Sequence, residues 1–289
     1  MYEIFDNTCD NEEILSFYCT HKNVLCKTGG GDSNDRVIIF FTGHGLFFPT
    51  TVEEFRKQVV ERDKFEWMNL STNQDIYNSA STIIFVRDVY KNWCINGINA
   101  NINTQEKLED YLRQIVGNRE VVTVGSSAGG YMAILFGILL KAKTIYSFSP
   151  QVNLHAYNID HPIKYYEEYL DNPNICRHMD LTPMMSQFQG ELFYFVPMLC
   201  TEDIRQFDMA KKCKNVHFFK LAEKRHGYTI WGECMIKTLT MDEGKLIELC
   251  SIFEGKCIKP VFYALKSIGI RKTTILLLKK TIRKIISKK

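Results

Sequence analysis

Six short runs along the chain are apolar at almost every position: Val37–Phe41 in "RVIIFFTG", Thr82–Val86 in "STIIFVRD", Val121–Val124, Thr144–Phe148, Leu192–Val196 and Val216–Leu221. A strand with one wet face alternates apolar and polar residues, whereas a strand covered on both faces has no reason to. These runs therefore read as interior strands. The stretches between them repeat apolar residues three and four apart, as in "TVEEFRKQVVER", "TQEKLEDYLRQIV" and "EDIRQFDMAKKC", which is the spacing of a helix with one buried face. "AGGYMAILFGILLKA" is apolar almost throughout and reads as a buried helix. Strands and helices in alternation predict an α/β fold, a mostly parallel sheet with helices on both faces.

Three segments depart from this alternation. "KTGGGDSNDR", residues 27–36, is a loop that separates an N-terminal extension, residues 1–35, from a core domain over residues 36–255. Within the core, residues 151–190 are less regular, include "HPIKYYEEYLDNPNICRHMDLTP", and read as a lid insertion. Residues 256–289 form a third segment, and no internal repeat links any of them.

Charge sets the third segment apart. The net charge of +3 conceals a division: after Glu254 there is no acid and there are 11 Lys or Arg, so residues 1–255 carry 25 basic against 33 acidic side chains. In "IRKTTILLLKKTIRKIISKK", Ile275, Leu278, Ile282, Ile285 and Ile286 fall at helical spacing, with Lys279, Lys280, Arg283 and Lys284 on the other side. The apolar run is too short to span a bilayer. A basic amphipathic C-terminal helix of this kind suits an anionic inner-membrane surface, reached through residues 266–289, or an acidic partner. The competing reading is a helix docked on the domain with its basic face in water. No nucleic-acid motif accompanies it, so no nucleic-acid partner is expected.

Elsewhere the composition is that of an ordinary globular chain. With 289 residues, 45% hydrophobic and 24% charged, it is long enough for one large α/β domain or two small ones. Ten cysteines are scattered with no CxxC pair and no His at zinc spacing, which reads as reduced thiols and no metal. "MYEIFDNTCDNEEI" is acidic and lacks the apolar core of a secretory signal. The expectation is a cytoplasmic protein, peripheral at the inner membrane if the basic helix is used that way.

The candidate chemistry centres on "VVTVGSSAGGYMAIL", a Gly-x-Ser-x-Gly string between a predicted strand and a predicted helix. By composition alone such a string arises in about one chain in ten of this length, so context must carry it. A nucleophile elbow needs a buried strand before the serine and a helix after it, and Ser127 has both. Gly125 and Gly129 remove side chains that would collide as the turn closes. Ser127 would then stand at a helix N-terminus, whose dipole and free amides favour developing negative charge. The N–H of Ala128 is one expected oxyanion donor. The second is expected from "FTGHGLF" after the first core strand, where Gly43 and His44, with Gly45, let the backbone turn its amides inwards.

A serine nucleophile needs a base, and the base needs an orienting acid. After the strand in "LFYFVPML" comes "CTEDIRQFD", and after the strand in "VHFFKLAEK" comes "RHGY". The order Ser127, Asp203, His226 is the α/β-hydrolase order, with each residue near the C-terminal end of a strand, where open α/β sheets place their chemistry. Asp208, a turn and a half into the following helix, is the alternative acid. Tyr131, Trp93 and the "YYEEYL" stretch supply aromatic rings able to stack on sugar faces, or to fill the core.

These residues carry a family resemblance. The chain resembles the α/β-hydrolase superfamily, and within it the serine esterases and polysaccharide O-acetyltransferases encoded with bacterial capsule and O-antigen synthesis. The specific part is the elbow "GSSAGGYMAILFG" followed by a strand ending "FSPQ", Phe148 to Gln151. "FVRDVYKNWCINGI", with Asp88 and Trp93, and the run from Glu202 through Asn215 to His226 are also similar, so that the resemblance spans roughly residues 37–232. It implies acyl transfer on a glycan through a Ser-Asp-His triad, with acetyl-CoA as donor and a surface polysaccharide or lipid-linked glycan as acceptor. No separate glycine loop for a CoA pyrophosphate is found. A carbohydrate esterase or deacetylase of the same fold, or a non-catalytic glycan-assembly protein, are the alternatives.

Overall fold

A computed structural model of the chain describes residues 11–31, 36–158, 172, 176–227 and 229–286. Its centre is a seven-stranded sheet: β1 (Val24–Thr28), β2 (Arg36–Phe41), β3 (Thr82–Val86), β4 (Glu120–Ser126), β5 (Thr144–Phe148), β6 (Glu191–Pro197) and β7 (Val216–Leu221). The spatial order is β1-β3-β2-β4-β5-β6-β7, with β1 antiparallel to β3 and every other pair parallel.

The continuous apolar runs are explained by two cores, one on each face of the sheet. In β2, Val37, Ile39 and Phe41 enter one core while Ile38 and Phe40 enter the other. In β6, Leu192, Tyr194 and Val196 go one way and Phe193 and Phe195 the other. Successive side chains of a strand point to opposite faces, so a strand covered on both sides needs apolar residues at every position. Helices Gln105–Val116 and Ala128–Leu139 line the first core, and Gly232–Thr240 and Glu243–Ile252 the second. The long apolar helix is buried at ten of its positions, from Ala128 to Gly137, which accounts for its lack of a polar face.

β1 belongs to the segment expected to be an extension outside the core. It instead pairs with the free edge of β3, Val24 opposite Val86 through Thr28 opposite Thr82. Helix Glu12–Thr20, capped by the Asn11 side chain, buries Ile14, Phe17 and Tyr18 against Phe47, Phe55 and Val89. Within the expected lid insertion, helices Leu154–Asn158 and Thr182–Gln187 are seen, and the "YYEEYL" stretch lies outside the described residues. Gln206 ties the start of this region down by bonding both backbone groups of Asn153 at 2.9 Å.

The basic segment begins inside the core. Ile258 bridges to Leu221, and in helix Pro260–Ile286 Tyr263 and Ala264 are fully buried, with the Tyr263 hydroxyl 2.6 Å from Thr238 Oγ1. Gly269 breaks this helix at φ 80°, ψ 168°. No described helix is long and apolar enough to cross a membrane.

Candidate active site

β4 ends at Ser126 and a helix begins at Ala128, so Ser127 must reverse the chain alone. It does so at φ 58°, ψ −123°, a backbone region that costs a non-glycine residue on the order of 1–3 kcal/mol. The flanking glycines follow from the same geometry. A Cβ on Gly125 would stand 1.9 Å from the Gly129 carbonyl oxygen, and one on Gly129 would stand 2.5 Å from the Phe41 carbonyl oxygen. Both contacts are with backbone that cannot yield, so the elbow admits only glycine at either place.

His226 stands on the loop after β7 and reaches the elbow with Nε2 2.7 Å from Ser127 Oγ. Its Nδ1 is 3.0 Å from both carboxylate oxygens of Asp203. Asp203 lies in the first turn of helix Thr201–Ala210 after β6 and is 2% exposed. The loop is held where it is needed: Gly227 turns at φ 93°, and its carbonyl accepts from the Ser149 hydroxyl at the end of β5. Partial burial pulls the His226 pKa down, but the hydrogen bond and charge of Asp203 outweigh it, so the imidazole titrates above its ordinary value. Asp208, the alternative acid, faces outwards and pairs with Lys211 at 2.8 Å.

The expected oxyanion donors fare differently. Ala128 opens the elbow helix, beside Ser127. The N–H of Gly43 is committed elsewhere, donating to Glu66 Oε2 at 2.5 Å. Gly43 is a glycine for another reason: a Cβ there would stand 2.6 Å from the Ser126 carbonyl oxygen, so the loop lies against the elbow backbone. His44 starts a short 3-10 turn, His44–Leu46, with its ring tilted against Trp93 at 5.1 Å.

Trp93 and Tyr131 offer no ring face to a sugar, since both are fully buried. The Tyr131 hydroxyl donates to the His178 carbonyl at 2.7 Å. Trp93 donates from Nε1 to Gln151 Oε1 at 2.6 Å, and Gln151 Nε2 in turn is 3.4 Å from Ser127 Oγ. Gln151 stands just past β5, next to β4 in the sheet. Its signal in the sequence was the "FSPQ" ending itself, a polar residue after a strand beside the elbow.

Arg87 and Asp88, at the end of β3, brace the two loops that flank the site. The Asp88 carboxylate accepts backbone N–H bonds from Lys91, Asn92 and Cys94 at 2.8–3.0 Å, holding a loop in which Lys91, Trp93 and Cys94 all have positive φ. Full burial raises the Asp88 pKa to about 6, against the pull of those amides. Arg87 bonds Asn23 and Asp63 and lies 4.1 Å over the Phe65 ring, fixing the segment that carries Glu66. Nothing in the sequence marked Glu66, because neither periodicity nor strand position points to it.

A cleft of about 640 Å³ opens beside Gly45, lined also by Gln58, Arg62, Lys64, Glu66 and Trp67. Among the described residues, one group could offer three metal ligands: Cys200, Asp203 and His226, whose atoms lie within 4.8 Å of one another. Burial and a hydrogen bond to Asp203 raise the Cys200 thiol to a pKa of about 11, which opposes thiolate ligation. All nine described cysteines are free.

No family model matches the chain, and no curated protein matches it. Solved structures with a similar chain course include a capsule O-acetyltransferase of Neisseria meningitidis serogroup A in complex with CoA, at 16% identity and TM-score 0.44, over 71% of this chain and 90% of that one. Acetyl xylan esterase 1 from Thermoanaerobacterium sp. JW/SL YS485 is similar at 11% identity and TM-score 0.46, over 78% of each chain. A 2,6-dihydroxy-pseudo-oxynicotine hydrolase is similar at 13% identity and TM-score 0.44, over 70% of this chain, which spans only 57% of that hydrolase. A mostly parallel sheet, a serine on a strained turn after β4, and an acid and a histidine following β6 and β7 together make this an α/β-hydrolase fold.

Proposed function

We propose that this chain is a serine acyltransferase that moves an acetyl group from acetyl-CoA to a hydroxyl of a bacterial surface polysaccharide or its lipid-linked precursor. The observation that carries the reading is one continuous line of hydrogen bonds, Ser127 Oγ to His226 Nε2 at 2.7 Å and His226 Nδ1 to Asp203 at 3.0 Å. The strain at Ser127 supports catalysis over a purely structural corner, because strained backbone of this kind concentrates at functional sites.

In this reading Ser127 Oγ attacks the acetyl carbonyl as His226 Nε2 takes its proton. Asp203 keeps the other imidazole proton on Nδ1 and stabilises the imidazolium. The tetrahedral oxyanion forms beside the helix N-terminus at Ala128. Collapse expels the CoA thiolate, which takes the His226 proton, and leaves acetyl-Ser127. A sugar hydroxyl then gives its proton to His226 and attacks the ester, and the serine is regenerated in a ping-pong sequence. Donor and acceptor rest on the sequence resemblance at the elbow. Arg62 and Lys64 in the cleft beside Gly45 supply cations for a phosphate-bearing donor. The reading requires a cytoplasmic site of action, where acetyl-CoA is made.

Ester hydrolysis is the second reading, favoured by the openness of the base: the His226 side chain is 34% exposed, so water reaches it. The test supplies acetyl-CoA with the organism's own polysaccharide and follows glycan acetyl and free thiol together. Matched gain and release supports transfer. Thiol release without glycan acetylation, alongside rapid cleavage of a simple acetyl ester, leaves the esterase. No turnover and no labelling of Ser127 by a fluorophosphonate leaves a non-catalytic glycan-assembly role.

A further inference from the structure

Half of the exposed large apolar side chains in the described chain crowd into 21 residues. Of the twelve, Phe262, Ile270, Ile275, Leu277, Leu278 and Ile282 all lie on helix Pro260–Ile286. Beyond the break at Gly269 the helix has two faces. Thr273 is buried, Leu276 is half-buried, and Lys280 Nζ sits 3.7 Å over the Trp231 ring, just before helix Gly232–Thr240. These three residues, spaced three and four apart, are the side that docks on the domain.

The apolar side is the opposite one. At about 100° per residue, Leu277, Ile270, Leu278, Ile282 and Ile275 span an arc of about 160° centred away from the docked face. Their exposures run from 41% at Leu277 to 75% at Ile270. A helix that only completes the domain turns its apolar side inwards, and this one turns it to solvent. Arg271 sits within the arc on a stem long enough to carry its charge to the edge, Thr274 and Thr281 also fall inside it, and Lys272 and Lys279 border one side of it. No acid occurs anywhere after Glu254, while the rest of the chain has an acidic excess.

We infer that residues 270–282 form an in-plane anchor that seats the protein on an anionic lipid surface, apolar arc in the acyl boundary and cations at the headgroups. The choice of a lipid surface over a protein partner rests on shape and charge. The exposed face is a single helix with no acid on it and with cations along one side of its apolar arc, as an interfacial helix requires. The inference is independent of the chemistry at Ser127.

The test is co-sedimentation of the full chain with vesicles of equimolar phosphatidylglycerol and phosphatidylcholine, and with phosphatidylcholine alone. Binding to the anionic vesicles should be at least about tenfold tighter and should weaken as salt rises. Leu278→Asp with Ile282→Asp should lower it about tenfold or more, and Lys272→Gln with Lys279→Gln should flatten its salt dependence. Both pairs are surface changes, so an unchanged circular dichroism spectrum is expected. Absence of binding to anionic vesicles, or equal binding by the Asp variant, would overturn the inference. So would light scattering that shows a wild-type dimer and a monomeric Asp variant, since a second copy would then cover this face.

Discussion

The indole N–H of Trp93 meets Oε1 of Gln151 at 2.6 Å, and this contact decides which end of the Gln151 amide faces Ser127. An indole nitrogen can only donate, so it claims the carbonyl oxygen and leaves the NH2 group pointing at Ser127 Oγ, 3.4 Å away. Behind Trp93, the Asp88 carboxylate fixes the loop through three backbone amides. The chain of contacts gives physical content to the "RD…W" and "FSPQ" patterns, which are far apart in sequence and adjacent at the site.

Gln151→Ala should therefore lower kcat by about 10²-fold, the scale of one lost donor beside a developing charge. Gln151→Glu should be at least as damaging, since the indole would still claim one oxygen and the other would bring negative charge to Ser127. Steady-state kinetics on a simple acetyl ester would check both. An unaltered kcat in the Glu variant would remove Gln151 from the site's chemistry.

The pH profile reports on His226. In the proposed mechanism His226 must be neutral to accept the Ser127 proton, so kcat/KM is expected to rise with pH through the His226 pKa, which Asp203 holds above the ordinary imidazole value. Asp203→Asn removes the charge that raises it and leaves the burial that lowers it. The acid limb should then move to lower pH, while the plateau falls by about 10⁴-fold as the imidazole loses its tautomer. A limb that stays in place would assign it to another group.

Strain at the elbow can be measured without activity. Ser127→Ala and Ser127→Gly should both abolish turnover and fluorophosphonate labelling. At φ 58° only the glycine relaxes, so Ser127→Gly should be more stable than Ser127→Ala by about 1 kcal/mol. Thermal denaturation should place its midpoint higher by about 2–4 °C.

The basic helix divides at Gly269 into a core part and a surface part. Tyr263→Ala empties a fully buried site and should cost about 3–5 kcal/mol, as other large aromatic deletions do. Ile270→Ala, at 75% exposure, should change stability by less than about 0.5 kcal/mol. Urea unfolding separates the two. A chain cut at residue 260 should be destabilised in the same way, whereas one ending at 269 keeps Tyr263.

All six strands expected from apolar runs are present, and in β2 to β6 burial on both faces writes itself into nearly every position. β7, read as interior, is instead the far edge of the sheet and is half-buried at four of its six positions. β1 escaped notice because it is a short, half-exposed edge strand, "VLCKT", and what makes it a strand is the unpaired edge of β3. That Ser127, Asp203 and His226 would meet was legible for a related reason: each follows a strand, and parallel strands deliver their ends to one side of the sheet.

What the sequence determined by itself was periodicity: which residues are buried, where strands stop, and which short turns only glycine can make. What only the tertiary structure decided was which neighbour each of them meets. Gly43 reads as an amide donor until its N–H is seen on Glu66, 23 residues on. Trp93 reads as a sugar platform until its ring is found buried and its N–H on Gln151, 58 residues away. The helix after Gly269 shows its two faces in the sequence, but only its docking through Thr273 and Lys280 turns the apolar one outwards. Local pattern fixes a residue's preference for interior or solvent, whereas directional contacts arise from strands and loops brought together by the whole sheet, and no window along the chain contains both partners.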